Sequence, residues 1–121
     1  MPGYVSSAWE ELCRQAVPFL FPDENINPAM RWWGRGRDGS PIEIDVVAES
    51  SDKKTLVIGE AKWGEKTDPE TEAEILQRKI HNLPFVKSQK IIPVLFIKNH
   101  KPDQSNKVTT FGPEAVVNAL R

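Results

Sequence analysis

The chain has 121 residues, of which 39% are hydrophobic and 27% charged, and a net charge of -1. That fits a single domain over 1–121 with one modest core, and it excludes the uniformly positive field of a dedicated nucleic-acid binder. No apolar run approaches the roughly 20 residues that cross a bilayer, and no charged-then-apolar leader opens the chain, so a cytoplasmic protein with no membrane partner is expected.

In chain order, Ser7 and Glu10 have the spacing of a capping box, and Trp9, Leu12, Cys13, Ala16 and Val17 recur at helical intervals up to Pro18, which predicts a first helix over 7–17. Cys13, the single cysteine, falls on its apolar face and reads as a buried, inert thiol. Residues 19–28 are broken by Pro, Asp and Asn and read as a loop before a short aromatic strand over 29–34, after which Gly34, Gly36 and Gly39 mark a turn. Two strands follow, 42–49 and 55–63, joined by a polar connector of hairpin length. The second carries small or apolar residues at both parities, which predicts cover on both faces.

Asp68 and Pro69 start a second helix with the stripe Ala73, Leu76, Ile80, Leu83. Glu65, Asp68, Glu70, Glu72 and Glu74 read as a solvated first turn suited to the helix dipole. Gln77 and Lys79, beside that stripe, are placed to face the site or DNA or, as the favoured reading, to form a wet helical flank, and His81 and His100, without partners at metal-binding spacing, read as surface residues. A strand over 91–97, a polar loop over 98–107, a short strand over 108–111 and a helix over 113–120 complete the pattern.

Chemistry concentrates on the hairpin. If it turns about Asp52 and Lys53, opposed residues have numbers summing to about 105, which sets Asp45 across from Glu60 with Lys62 on the same face and Glu43 across from Lys62. Two carboxylates about 4.5 Å apart repel by roughly 3–4 kcal/mol at an effective dielectric near 20, a cost relieved by protonation, separation or a cation. Asp45, Glu60, the carbonyl of Ala61 and water form a hard-oxygen set of the kind Mg²⁺ or Mn²⁺ prefers, with Lys62 placed to orient water or to stabilise charge on a phosphate. The chemistry described is phosphodiester hydrolysis. Arg31, Arg35 and Arg37 around Trp32 and Trp33, together with Lys66, are the candidate DNA contacts, although one of the two tryptophans should fill the core, since adjacent strand residues point to opposite faces.

Asp45 followed by Gly-Glu-Ala-Lys at 59–62 resembles the Asp…(Asp/Glu)-x-Lys signature of the restriction-endonuclease-like, or PD-(D/E)xK, superfamily. Trp-Glu-Glu-Leu-Cys at 9–13, Arg-Trp-Trp-Gly at 31–34, Glu-Ile-Asp-Val-Val-Ala at 43–48 and Gly-Glu-Ala-Lys-Trp at 59–63 together resemble the nuclease-like domain at the carboxyl end of archaeal and bacterial AAA-type ATPases, over roughly residues 5–112. The resemblance implies an α/β fold with an αβββαβ core and a mixed central sheet flanked by helices. It also implies Asp45 and Glu60 as metal ligands, Lys62 as the catalytic lysine and Glu10 as the first-helix acid that completes the site. Ile44 stands where the name-giving proline would be, and the chain has no phosphate-binding loop, so an ATPase module in cis or trans, or a second copy in a homodimer, is the expected means of delivery to DNA. The alternatives are a non-catalytic nucleic-acid-binding or regulatory module of such an ATPase, a metal-stabilised oligomerisation domain and, for the three residues themselves, a structural ion-pair network.

Overall fold

The computed structural model describes residues 3–63, 68–98 and 108–121. The elements run α1 (Gly3–Leu20), a short 3-10 turn, β1 (Met30–Arg35), β2 (Pro41–Glu49), β3 (Thr55–Lys62), α2 (Pro69–Asn82), β4 (Lys90–Ile97), β5 (Thr109–Phe111) and α3 (Pro113–Ala119). The five strands form one mixed sheet in the order β1-β2-β3-β4-β5. β1, β2 and β3 are antiparallel neighbours, whereas β3, β4 and β5 are parallel. The first six regular elements thus follow the expected αβββαβ order. Among the described residues no helix is long and apolar enough to cross a membrane.

Each face of the sheet is buried by helices. Trp9, Cys13, Ala16 and Val17 recur every three or four residues and carry α1, with Val116 of α3, onto Val46, Ala48, Val57, Ala61, Val94 and Phe96. The stripe Ala73, Leu76 and Ile80 of α2, continued by Leu83 just after its end, covers Ile42, Ile44, Leu56, Ile58, Leu95 and Ile97 on the other side. β3, between the two layers, is buried along all but its last residue, as its two-sided apolar pattern predicted. Gly59 belongs to this strand for steric reasons: a Cβ there would collide with Val94 Cγ2 and meet the Val94 carbonyl oxygen at 2.6 Å.

α1 departs from the sequence expectation at both ends. It begins before Ser7, so Ser7 and Glu10 lie inside the helix and form no capping box, and it carries Pro18 in its last turn. A proline so close to the end forfeits one intrahelical bond and leaves the preceding turns intact.

The β2–β3 hairpin closes as expected. Ser50 Oγ and Lys54 N donate to Asp52 Oδ1 at 2.6 and 3.0 Å, and Lys53 takes a positive φ of 64° at the turn. The ladder from Glu49↔Leu56 to Val46↔Gly59 keeps the predicted sum of 105. Beyond Val46 a feature intervenes that the hairpin alone does not reveal. Met30 faces Val47 while Trp32 faces Ile44, so two steps along β1 match three along β2. The extra residue is a β-bulge at 45 and 46. It also explains why Ile42 and Ile44 lie beneath α2 while Val46 and Ala48, of the same parity, lie beneath α1.

Candidate functional site

The bulge parts β2 from β3 at the open end of the hairpin and places Asp45 in the fork. Its Oδ2 accepts the Ala61 N–H at 3.0 Å, so a side chain takes over where the backbone ladder stops. Its carbonyl accepts Nη1 of Arg14 from α1 at 3.0 Å, and the same guanidinium is anchored by Glu11 at 3.1 Å. The bulge and its two hydrogen bonds thus fix Asp45 from both its main chain and its side chain.

Glu60 stands beside it with only 4% of its surface exposed. Burial, then the hydrogen bond its protonated form donates to Asp45 and the repulsion of that carboxylate, push its carboxyl up to about 7, against the opposing pull of Lys79. The two acidic groups that the hairpin register was expected to bring together are therefore in contact, through the bulge rather than through a continued ladder. Lys62 lies at the end of β3, its Nζ 3.9 Å from Glu72 of α2. Its carbonyl is held by the Trp9 indole N–H at 3.1 Å and the Lys98 amide at 3.3 Å. The ion pair of Lys62 with Glu43 that the hairpin register allowed does not form. Glu43 instead pairs with Arg31 at 3.7 Å, because the bulge moves it out of register with β3.

The amine that touches Glu60 is that of Lys79, 2.6 Å from Oε1, and it also donates to the Glu43 carbonyl at 3.1 Å. Of the two readings of Lys79, this is the one that faces the site, and the wet flank is set aside. The signal for it was geometric: Lys79 follows Leu76 by three residues and precedes Leu83 by four, at the border of the buried stripe, where a long side chain reaches over the sheet.

Glu10 projects from α1 into the same region. Partial burial and Asp45 raise its pKa, while Arg14, Arg31 and Lys62 pull it down. It is thus close enough to Asp45 to feel its charge, yet among the described residues no three His, Cys, Asp or Glu side chains gather closely enough to hold an ion. The close acidic set is the pair Asp45 and Glu60, and Glu10 does not join it as the third acid that the resemblance implies.

The arginines divide. Arg37 is committed to the fold: its guanidinium donates to the carbonyls of Leu83 and Val86 and its amide to that of Asn82, tying the β1–β2 turn to the end of α2. Arg35 donates to the Gly39 carbonyl at 2.9 Å within that turn. Both guanidiniums are thus engaged in turn structure. Arg31 stays half-exposed, with its guanidinium 5.6 Å from the centre of the Trp33 ring. Trp32 packs edge-on against Phe85 at 5.2 Å, and Trp33 is 67% exposed, which separates the pair by face as expected. Lys66 and His100 lie outside the described residues. Burial pushes the Cys13 thiol up, so it is unreactive.

A family model described as archaea bacterial proteins of unknown function, DUF234, matches residues 1–75, more than half of the chain. The chain belongs to the DUF234 family. The stretch shared with DUF234 proteins runs from α1 into α2 and includes Glu10, Asp45, Glu60 and Lys62, while Lys79 lies beyond it. No curated protein and no solved structure matched the chain.

Proposed function

We propose that this DUF234 chain is a metal-dependent deoxyribonuclease of the restriction-endonuclease-like, PD-(D/E)xK kind that hydrolyses phosphodiester bonds of DNA. The observation that carries the reading is the contact between Asp45 and the buried Glu60 in the fork of the hairpin. A fold that needed only stability gains little from burying one acid against a second, since an apolar residue of similar volume costs less.

The donor set fits Mg²⁺ or Mn²⁺. Two hard carboxylates stand together, one of them held toward its neutral form by burial and by the other's charge, and a dication would relieve both penalties. Asp45, Glu60 and the Ala61 carbonyl would hold it. The chemistry such an ion supplies is polarisation of a phosphoryl oxygen and acidification of bound water. The protein's own groups do the rest. Arg14 and the Ala61 amide keep Asp45 in place. Lys79 offsets the charge of Glu60, Lys62 stands at the fork's mouth to receive charge developing on the phosphate, and Arg31 offers a contact to the flanking backbone. With a net charge of -1 the chain has little long-range attraction for DNA, so an ATPase module or a second copy would raise the local concentration of substrate.

A second reading, a non-catalytic nucleic-acid-binding or regulatory module associated with an AAA-type ATPase, is favoured by one observation: the Lys79 ammonium already neutralises Glu60 without an ion. Calorimetric titration with Mn²⁺, paired with cleavage of plasmid DNA, decides between them. The nuclease reading requires saturable Mn²⁺ binding that Asp45→Asn abolishes, and cleavage that disappears with it. Unimpaired DNA binding with neither Mn²⁺ uptake nor cleavage would establish the module instead.

A further inference from the structure

Trp33 has no part in the core, although it sits in the middle of a strand. Its neighbour Trp32 packs on Phe85 under α2, while Trp33 turns to the opposite face and keeps 67% of its surface in solvent, and Met30, at the start of the same strand, keeps 70%. One exposed tryptophan is ordinary; its surroundings here are less so. The Arg31 guanidinium lies 5.6 Å from the centre of the indole ring and is steadied there by Glu43 at 3.7 Å. Trp33 is directly opposite Glu43 on β2, and Glu43 is two residues from Asp45, about 7 Å along the strand.

We propose that Trp33, with the Arg31 guanidinium packed on it, is a stacking platform for an unpaired nucleobase beside the fork of Asp45 and Glu60, so that single-stranded or flapped DNA is bound in preference to continuous duplex. The inference rests on the nuclease reading for what lies in the fork, but the platform is testable without cleavage. The physical ground is that every unpaired base offers a π-face, whereas a base within a duplex is already stacked and paired, so an exposed indole rewards only the former. Stacking does not depend on a positive field, which suits a chain of net charge -1. The guanidinium can add a cation–π contact to the base and a charge contact to the strand.

The experiment is fluorescence anisotropy with short labelled oligonucleotides in EDTA: single-stranded DNA, the same sequence as blunt duplex, a flapped duplex and single-stranded RNA, each against the unmodified chain, Trp33→Phe and Trp33→Ala. Expected are weakening of single-strand and flap binding by roughly 10- to 100-fold in Trp33→Ala, near-normal binding in Trp33→Phe and no change for blunt duplex beyond about twofold. RNA bound with the same dependence on Trp33 supports the platform and shows that the sugar is not read. No single-strand binding by the unmodified chain, equal loss on single strand and duplex, or no loss in Trp33→Ala would overturn it. Circular dichroism checks that Trp33→Ala is folded, which its exposed position favours. The two readings fail separately. Trp33-dependent binding without Mn²⁺-dependent cleavage leaves the platform and removes the nuclease, whereas cleavage with Trp33-independent binding does the reverse.

Discussion

The two ends of the β2–β3 hairpin treat a carboxylate in opposite ways. At the closed end Asp52 is exposed, accepts hydrogen bonds from Ser50 Oγ and the Lys54 amide, and has its pKa lowered by them. At the open end Glu60 is buried against Asp45 and its pKa is pushed up to about 7. The first carboxylate is an ordinary turn residue whose charge satisfies a hydroxyl and an amide. The second is kept where its charge is costly, and a fold tolerates that where the group has chemistry to do. On one pair of strands, then, stability and candidate function are spatially separated.

The sharpest way to break this contrast is to remove the acid in the fork. Asp45→Ala is expected to lower Mn²⁺-dependent cleavage by at least about 100-fold, read on supercoiled plasmid, while Asp52→Ala leaves it unchanged. Undiminished cleavage in Asp45→Ala would mean the open end is not the reactive one. Lys62→Met and Lys79→Met, assayed in parallel, tell which of the two amines acts in the reaction and which is only a counter-ion.

Next in size is a pH effect on stability in metal-free buffer. The folded pKa of Glu60 lies above its ordinary value of 4.5, at about 7, so the folded chain binds this proton more tightly than the unfolded one. The resulting stabilisation is complete below about 4.5, declines as pH rises through about 7 and is gone above it, amounting to ~3 kcal/mol. Urea unfolding from pH 4.5 to 8 should show this slope in the unmodified chain and lose it in Glu60→Gln; equal slopes would contradict the burial argument. Asp52, with a lowered pKa, acts in the opposite direction, its contribution disappearing as the solution is made strongly acid.

A smaller effect tests the close packing beside the fork. Gly59→Ala must push a methyl group into the Val94 main chain, and a loss of about 1–3 kcal/mol in stability is expected. Because Glu60 is the next residue, Mn²⁺ binding should weaken as well. Smallest of all, Asp52→Ala should lower the melting temperature slightly and leave metal binding untouched.

How far the sequence carried depends on how local the determinant was. The strands and their faces followed from alternation and turn residues, and the hairpin register from five polar residues between two apolar runs; those are contacts between chain neighbours. The bulge at 45 and 46 depends on how β1 lines up with β2, a pairing that no local pattern encodes, and with it went the Glu43–Lys62 pair. The partners of Lys79 and Arg37 were not legible for a related reason. Each is a long side chain whose partner lies on an element far away in sequence, Glu60 for one and the Leu83 and Val86 carbonyls for the other. Pro18 misled because its position in the final turn makes it harmless there, and the helix boundary had been placed just before it.

Two side chains of the first helix each hold a main-chain oxygen on a different strand of the fork: Arg14 holds that of Asp45 and Trp9 that of Lys62. The helix is consequently a yoke across the two prongs. Tilting it would shift acid and lysine in concert rather than one at a time, so whatever grips the outer side of that helix gains leverage over both at once.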